Sequence, residues 1–189
     1  MQAFFVSLWT VTLAEMGDRT QLLSLMLVTR YRRPWPVLAG VLCAAAASHA
    51  LAAFLGAQIG ARLNTALVDA AVGASMILMA LWMLRPEREG EQGRIDSHRG
   101  VFTTTLLTFL VAEIGDKTQI ATLALAAGYH NLFAVIAGST CGMMLANAPV
   151  IFIGRLFAEK LPMRAIHMVT VVLLLLIGGL FLYRAVRHG

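Results

Sequence analysis

The chain has 189 residues, of which 59% are hydrophobic and only 13% carry a charge. A soluble domain usually has about 25% charged residues, so this composition excludes an ordinary soluble enzyme or binding module and indicates that lipid is the main solvent. The net charge of +5 does not indicate nucleic-acid binding, because the basic residues lie in short segments beside apolar runs, where they orient membrane helices.

Six apolar segments follow one another along the chain, at 3–29, 35–60, 64–84, 101–127, 131–157 and 165–184. Each is long enough for a membrane-spanning helix, which needs about 20 mostly apolar residues. We therefore predict an all-α membrane protein of six transmembrane helices. A polar run from Arg85 to Arg99 separates two halves. The predicted domains are a first three-helix repeat at 1–84, a cytoplasmic linker at 85–100 and a second three-helix repeat at 101–189.

The two halves repeat each other without a gap when the chain is shifted by 98 residues. The segment EMGDRTQ at 15–21 then lies on EIGDKTQ at 113–119, Cys43 lies on Cys141, and His49 lies on Asn147. Since each half has an odd number of predicted spans, the halves are expected to cross the membrane in opposite directions. Inverted repeats of this kind are common in secondary transporters, which bind substrate near the bilayer midplane between the repeats.

The distribution of basic residues predicts the orientation, because cytoplasmic loops are rich in Lys and Arg. One side of the membrane carries only Arg62, Arg184 and Arg187. The other side carries most of the remaining basic residues, namely Arg30, Arg32, Arg33, Arg85, Arg88, Arg94, Arg99, Arg155, Lys160 and Arg164. We therefore expect the linker inside the cell and both termini on the non-cytoplasmic side.

Each half carries its acidic motif near the centre of its first predicted helix. A charged side chain there costs about 2.5–3.5 kcal/mol on insertion scales, so the motif residues must face the interior of the bundle and meet water at least part of the time. On a continuous helix, the acids and glutamines form one stripe in each motif, and Arg19 and Lys117 can pair with the glutamate four residues earlier. The stripe residues are Glu15, Asp18 and Gln21 in the first motif and Glu113, Asp116 and Gln119 in the second.

These side chains predict a cation site built from oxygen ligands. The four carboxylates, the two amide carbonyls and the hydroxyls of Thr20 and Thr118 are ligands that suit Ca²⁺, Mn²⁺ and Mg²⁺. Gly17 and Gly115 could let the helices unwind locally and add backbone carbonyls. Carboxylates held close together can take up either protons or a cation, which is the physical basis of exchange between the two.

The paired motif Glu-x-Gly-Asp-(Arg/Lys)-Thr, with a polar central linker, resembles that of the GDT family of manganese/calcium cation–proton antiporters. The resemblance covers the whole chain. It implies two inverted three-helix repeats, with Glu15, Asp18, Glu113 and Asp116 binding the cation and exchanging protons. It also implies removal of Mn²⁺, or alternatively Ca²⁺, from the cytoplasm. The short linker is similar to that of bacterial members and favours a bacterial inner membrane.

The resemblance also fixes the expected partners. These are a divalent cation as transported substrate, protons and the lipid bilayer, with no cofactor and no nucleic acid. The oligomeric state is not determined by the sequence.

Several positions outside the motifs receive weaker interpretations. His49 could carry protons or touch the ion, although its equivalent in the second half is Asn147 and it could equally be a packing histidine. The pairs Gly56 and Gly60, and Gly138 and Gly142, are expected to be small-residue helix contacts. Cys43 and Cys141 are too few for a disulfide framework, and we expect them to be small core residues.

Three alternative interpretations use the same residues. The acids could form a buried salt-bridge network that only fastens two helices, although buried ion pairs stabilise poorly. The chain could export small organic cations or amino acids, but aromatic walls are scarce around the motifs. It could be a metal-dependent intramembrane enzyme, but it has neither a His-Glu-x-x-His motif nor an obvious nucleophile with its base. We therefore predict that it is not an enzyme.

Overall fold

The computed structural model describes residues 1–83, 100–129, 131–153 and 163–188, and within these ranges the chain forms eight α-helices and no strand. The helices of the first half are α1 (Gln2–Glu15), α2 (Arg19–Tyr31), α3 (Pro34–Arg62) and α4 (Thr65–Met83). Those of the second half are α5 (Val101–Glu113), α6 (Lys117–Gly128), α7 (Leu132–Ile153) and α8 (Met163–His188). The predicted linker, apart from Gly100, lies outside the described residues, as do Arg155 and Lys160.

Among the described residues, three helices are long and apolar enough to cross a bilayer, at Pro34–Arg62, Leu132–Ile153 and within α8 at Met168–Arg187. The first apolar segment of each half was predicted to be one continuous helix, but it forms two short helices. The break falls at residues 16–18 in the first half and at residues 114–116 in the second. The prediction of one continuous helical stripe in each motif was therefore wrong, whereas the predicted unwinding at Gly17 and Gly115 is confirmed.

The helices pack so that corresponding elements of the two halves exchange partners. The helix α1 packs along α7, and its equivalent α5 packs along α3; α3 and α7 also contact each other, and α4 packs against α8. The glycine contacts repeat at the same offset of 98 residues: Gly40 faces the backbone oxygen of Phe102, and Gly138 faces that of Phe4. Equivalent residues thus make equivalent contacts between the halves.

Small residues allow these helices to approach closely, as predicted. Gly56 and Gly60 of α3 meet the backbone oxygens of Leu123 and Ala127 on α6. Gly142 of α7 meets the backbone oxygen of Leu8 on α1. Helix association in membranes depends on such close packing, since lipid removes the hydrophobic driving force between helices.

Large apolar side chains cover much of the outer surface, including Val111, Phe133 and Leu176, which are all exposed. Such a surface is typical of a protein that contacts lipid rather than water. Cys43 and Cys141 also lie on this surface as free thiols. The prediction that they belong to the core was therefore wrong, because a position inside an apolar segment can face lipid as readily as other helices.

Candidate metal centre

The two motifs adopt the same broken-helix conformation. Gly17 and Gly115 have φ angles of 83° and 75°, in the left-handed region that glycine enters without the cost imposed by a side chain. The turn is closed by a hydrogen bond of 3.1 Å from the Asp18 N–H to the Glu15 oxygen, and the Asp116 N–H makes the same bond to Glu113. The motif glycines therefore break the helix locally, so that each glutamate ends one helix and each aspartate precedes the next.

The two glutamines stabilise these turns. The side-chain oxygen of Gln21 accepts a hydrogen bond of 2.9 Å from the Gly17 N–H, and that of Gln119 accepts one of 3.1 Å from the Gly115 N–H. Their amide nitrogens donate to the Ala146 carbonyl and to the Ser48 hydroxyl, respectively. The amide carbonyls that the sequence suggested as cation ligands are thus already occupied by the backbone of their own motifs.

Asp18 and Asp116 occupy the N-cap positions of α2 and α6, with extended backbone angles. The N-terminus of a helix carries a partial positive charge and unpaired N–H groups, which favour a nearby carboxylate. This placement stabilises two buried acids, which would be costly if they faced lipid.

Three of the four predicted carboxylates converge between the halves. One oxygen from each of Glu15, Asp18 and Asp116 lies within 4.8 Å of the other two, and all three side chains are buried. Oxygens at such separations can surround one ion, since divalent cations such as Mg²⁺ and Ca²⁺ bind oxygen at about 2.0–2.6 Å. In this carboxylate cluster, Glu15 and Asp18 come from the first motif and Asp116 from the second, so neither half could form it alone.

Glu113, the fourth predicted carboxylate, is not among the acids whose oxygens converge in the carboxylate cluster. It is buried, and within the described residues neither of its oxygens has a hydrogen-bond partner of ordinary geometry, although the Ser48 hydroxyl lies beside it. The repeat in sequence made Glu15 and Glu113 equivalent, but the structure gives them different surroundings.

The basic residues of the motifs pair across the two halves. The Lys117 ammonium lies 2.8 Å from the Asp18 carboxylate, and the Arg19 guanidinium lies 3.2 Å from Asp116. The intrahelical pairs that the four-residue spacing suggested are not the ones the structure contains, because the broken turn removes the helical register on which that spacing depends. The two pairs also differ in exposure: the Lys117 side chain is 7% exposed and that of Arg19 is 62% exposed.

Neutral side chains hold the carboxylates in place. The Thr20 hydroxyl donates to Glu15 over 2.5 Å, and the Thr118 hydroxyl donates to Asp116 over 3.2 Å. The Asn147 amide lies 3.5 Å from the same Glu15 oxygen that Thr20 contacts. The threonine hydroxyls, predicted as supporting oxygens, therefore act here as donors to the acids, while the other Glu15 oxygen has no partner among the described residues.

Among the described residues, His49 makes no hydrogen bond to the carboxylate cluster. It is fully buried, its Nδ1 atom lies 3.5 Å from the Thr140 hydroxyl, and its Nε2 atom has no partner there. Its equivalent, Asn147, does contact a motif acid. Of the two residues at this repeat position, only Asn147 of the second half contacts the carboxylate cluster.

Two buried polar residues were not predicted from the sequence: Ser24, which reaches Glu15 through Asn147, and Asp69, which lies outside the carboxylate cluster. The Ser24 hydroxyl donates to the Asn147 side-chain oxygen over 2.7 Å and so fixes the amide that faces Glu15. The repeat register contained a signal, because the equivalent position 122 is also a hydroxyl residue and is also buried. Asp69 is a buried acid on α4, outside the carboxylate cluster, and its signal was an acidic residue inside an apolar segment.

Comparison with known proteins gives concordant matches over nearly the whole chain. The family described as "Divalent cation/proton antiporter GDT1" matches residues 3–91 and 101–189, once for each half. A Vibrio cholerae protein named "Putative manganese exporter" is 46% identical over 187 residues, covering 98% of this chain and 89% of that protein. A GDT1-like protein of Synechocystis sp. is 30% identical and covers 97% of this chain and 94% of its own length. No solved structure matches the chain.

Proposed function

Because the chain belongs to the GDT1 family of divalent cation/proton antiporters, we propose that it exports Mn²⁺, or alternatively Ca²⁺, from the cytoplasm in exchange for protons. The resemblance predicted from the paired motifs is confirmed by this membership. The protein is a membrane transporter and not an enzyme, as predicted, and the metal is its substrate rather than a resident cofactor. The alternatives of an intramembrane enzyme and of an exporter for organic cations are set aside on the same ground.

The observation that carries the proposal is the carboxylate cluster. Glu15, Asp18 and Asp116 are buried together at the unwound centres of two broken helices, one from each half. Secondary transporters bind ions at such discontinuous helices near the midplane. Purely structural ion pairing would not require a third carboxylate, since the two pairs with Arg19 and Lys117 use only Asp18 and Asp116.

Exchange follows from the chemistry of these oxygens. A carboxylate lone pair can bind a proton or a metal ion but not both, so each cation that arrives must displace protons and each proton must displace the cation. Glu113 is a buried acid of the second motif, close to Asp116 in sequence. We assign it the role of binding and releasing protons. Gln21 and Gln119 keep the turns in the conformation that presents the aspartates.

We propose that the six spans form two inverted repeats, at 1–84 and 101–189, joined by the cytoplasmic linker at 85–100. Access to the cluster then alternates between the two sides of the membrane. Two observations support an asymmetric state: α1 packs against α6 more closely than α2 packs against α5, and Lys117 is buried whereas Arg19 is exposed. With both termini on the non-cytoplasmic side, α2 and α5 line the cytoplasmic half, so this state opens inward.

Mn²⁺ is the favoured substrate. The three ligands that converge are carboxylates, without thiolate or imidazole, and they suit Mn²⁺, Ca²⁺ and Mg²⁺ alike. The choice of Mn²⁺ therefore rests on the most similar of the relatives named above, whose name refers to manganese export. The bacterial relatives favour a bacterial inner membrane as the location.

A transport assay tests this function directly. In liposomes, an imposed pH gradient should drive Mn²⁺ through the purified protein in the direction opposite to proton flow. Parallel measurements with Ca²⁺ and Mg²⁺ give the selectivity. Glu15→Gln and Asp116→Asn should each lower the flux at least about 10-fold, because each removes one anionic ligand from a water-poor site.

The matched control is Asp69→Asn, which neutralises a buried acid outside the carboxylate cluster and should leave most of the flux intact. Wild-type protein that moves none of the three metals under the gradient would refute the proposal. Full flux in both cluster variants would refute the assignment of the site.

A further inference from the structure

We propose that Lys117 is a tethered cation that occupies Asp18 while the site is empty, and that the transported metal must displace it in order to bind. This inference rests on the proposed function. It concerns the basic residue of the motif, which is arginine at position 19 and lysine at position 117.

The ammonium of Lys117 lies beside one of the converging carboxylates. Lys117 Nζ lies 2.8 Å from Asp18 Oδ1, and Asp18 is one of the three carboxylates that converge. An ammonium at this distance neutralises one of the carboxylates that a metal would need, and it cannot itself be a metal ligand. The ammonium and a metal ion are therefore alternative counter-charges for the same carboxylate.

The ion pair between Lys117 and Asp18 is buried. The side chains of Lys117 and Asp18 are 7% and 0% exposed, so the pair is shielded from the water that weakens surface ion pairs. A buried charge that loses its partner is strongly destabilised. Lys117 thus compensates the acids when no metal is present, and its release must be driven by the metal that replaces it.

The charges of the site balance when a divalent cation takes the place of the Lys117 ammonium. The cluster carries three negative charges when ionised, and a divalent cation together with Arg19 at Asp116 neutralises them. The ammonium of Lys117 would then be surplus. A monovalent cation would only replace the ammonium charge for charge, so Lys117 gives the site a preference for divalent ions.

Equilibrium binding of Mn²⁺ to the purified full-length protein tests the inference. Lys117→Gln removes the competitor, and we expect the Kd for Mn²⁺ to fall about 10-fold, while Lys117→Arg, which keeps the charge, should bind more like the wild type. A loss of structural support would weaken binding, so a gain separates competition from a purely structural role.

The matched control is Arg19→Gln, the equivalent position in the other half. Its side chain is 62% exposed, so water already weakens its pair with Asp116, and the change in Kd should be clearly smaller than for Lys117→Gln. An unchanged or weaker affinity in Lys117→Gln would overturn the inference. Failure of the wild-type protein to bind either Mn²⁺ or Ca²⁺ would instead overturn the proposed function.

A second measurement needs only the wild-type chain and applies if Lys117→Gln does not fold. The sequence contains two lysines, Lys117 and Lys160, so an amine-reactive reagent followed by mass spectrometry reports on each separately. Saturating Mn²⁺ should raise the labelling of Lys117 several-fold relative to Lys160, because the ammonium has left Asp18. Labelling that stays constant or falls would overturn the inference.

Discussion

At the scale of single residues, the motif depends on its glycine, because the backbone at that position takes a conformation that favours glycine. Gly17 and Gly115 take the same left-handed conformation, and a glutamine four residues later accepts the glycine N–H in each case. The Glu, Gly, Asp and Gln of the motif thus form one local unit that ends a helix, turns the chain and starts the next helix. The acids are placed by this turn and not by helical periodicity.

Gly115→Ala should destabilise the protein through the backbone alone. Nothing lies within 4 Å of the added methyl group, so the penalty is the cost of holding an L-residue at φ 75°, which is about 1–2 kcal/mol. Thermal unfolding in detergent measures it. Gly179→Ala is the matched control, because its methyl group also meets open space and its helical backbone favours alanine. Equal melting temperatures for the two variants would contradict this account.

At the scale of helices, close approach between the halves depends on glycines that face backbone oxygens. A Cβ atom at Gly56 of α3 would clash with the backbone oxygen of Leu123 on α6, and backbone cannot move aside as a flexible side chain can. Because α6 begins with Lys117 just after Asp116, the spacing of α3 and α6 also sets the position of the second motif.

Gly56→Ala should therefore force α3 and α6 apart. Overpacking of this kind costs about 1–3 kcal/mol, and we expect a lower melting temperature than for Gly179→Ala together with reduced Mn²⁺ flux. The measurements are thermal unfolding in detergent and transport in liposomes. A variant as stable and active as the wild type would show that this helix contact is looser than the structure describes.

At the scale of the whole molecule, the two halves are interdependent. The first half supplies Glu15 and Asp18 and the second supplies Asp116, and each half's basic residue pairs with the other half's aspartate. A transport cycle that changes how the halves pack would change these pairs together. The proposed orientation in the membrane decides which side each state faces.

Labelling with a membrane-impermeant maleimide tests that orientation. In a background where Cys43 and Cys141 are replaced by alanine, Arg187→Cys should react in intact cells, since the positive-inside rule places the end of α8 outside. Gly90→Cys, in the linker, is the control and should react only after the membrane is permeabilised. The reverse pattern would invert the proposed direction of every state.

The sequence by itself determined the membrane class, the repeat and the motif residues. The membrane class can be recognised from composition, because apolar segments of about 20 residues are typical of membrane-spanning helices. The ungapped repeat between 15–21 and 113–119 can be seen in the sequence alone. The unwinding at Gly17 was foreseen from the glycine itself, since its conformational freedom is a local property.

Only the tertiary structure decided which groups meet. Glu15 and Glu113 are equivalent in sequence, yet only Glu15 joins the carboxylate cluster. Lys117 and Arg19 pair across the halves, and one pair is buried while the other is exposed. Sequence spacing specifies neighbours along one helix, whereas these contacts depend on how two broken helices from different halves pack, and a packed protein need not keep the symmetry that its sequence repeat suggests.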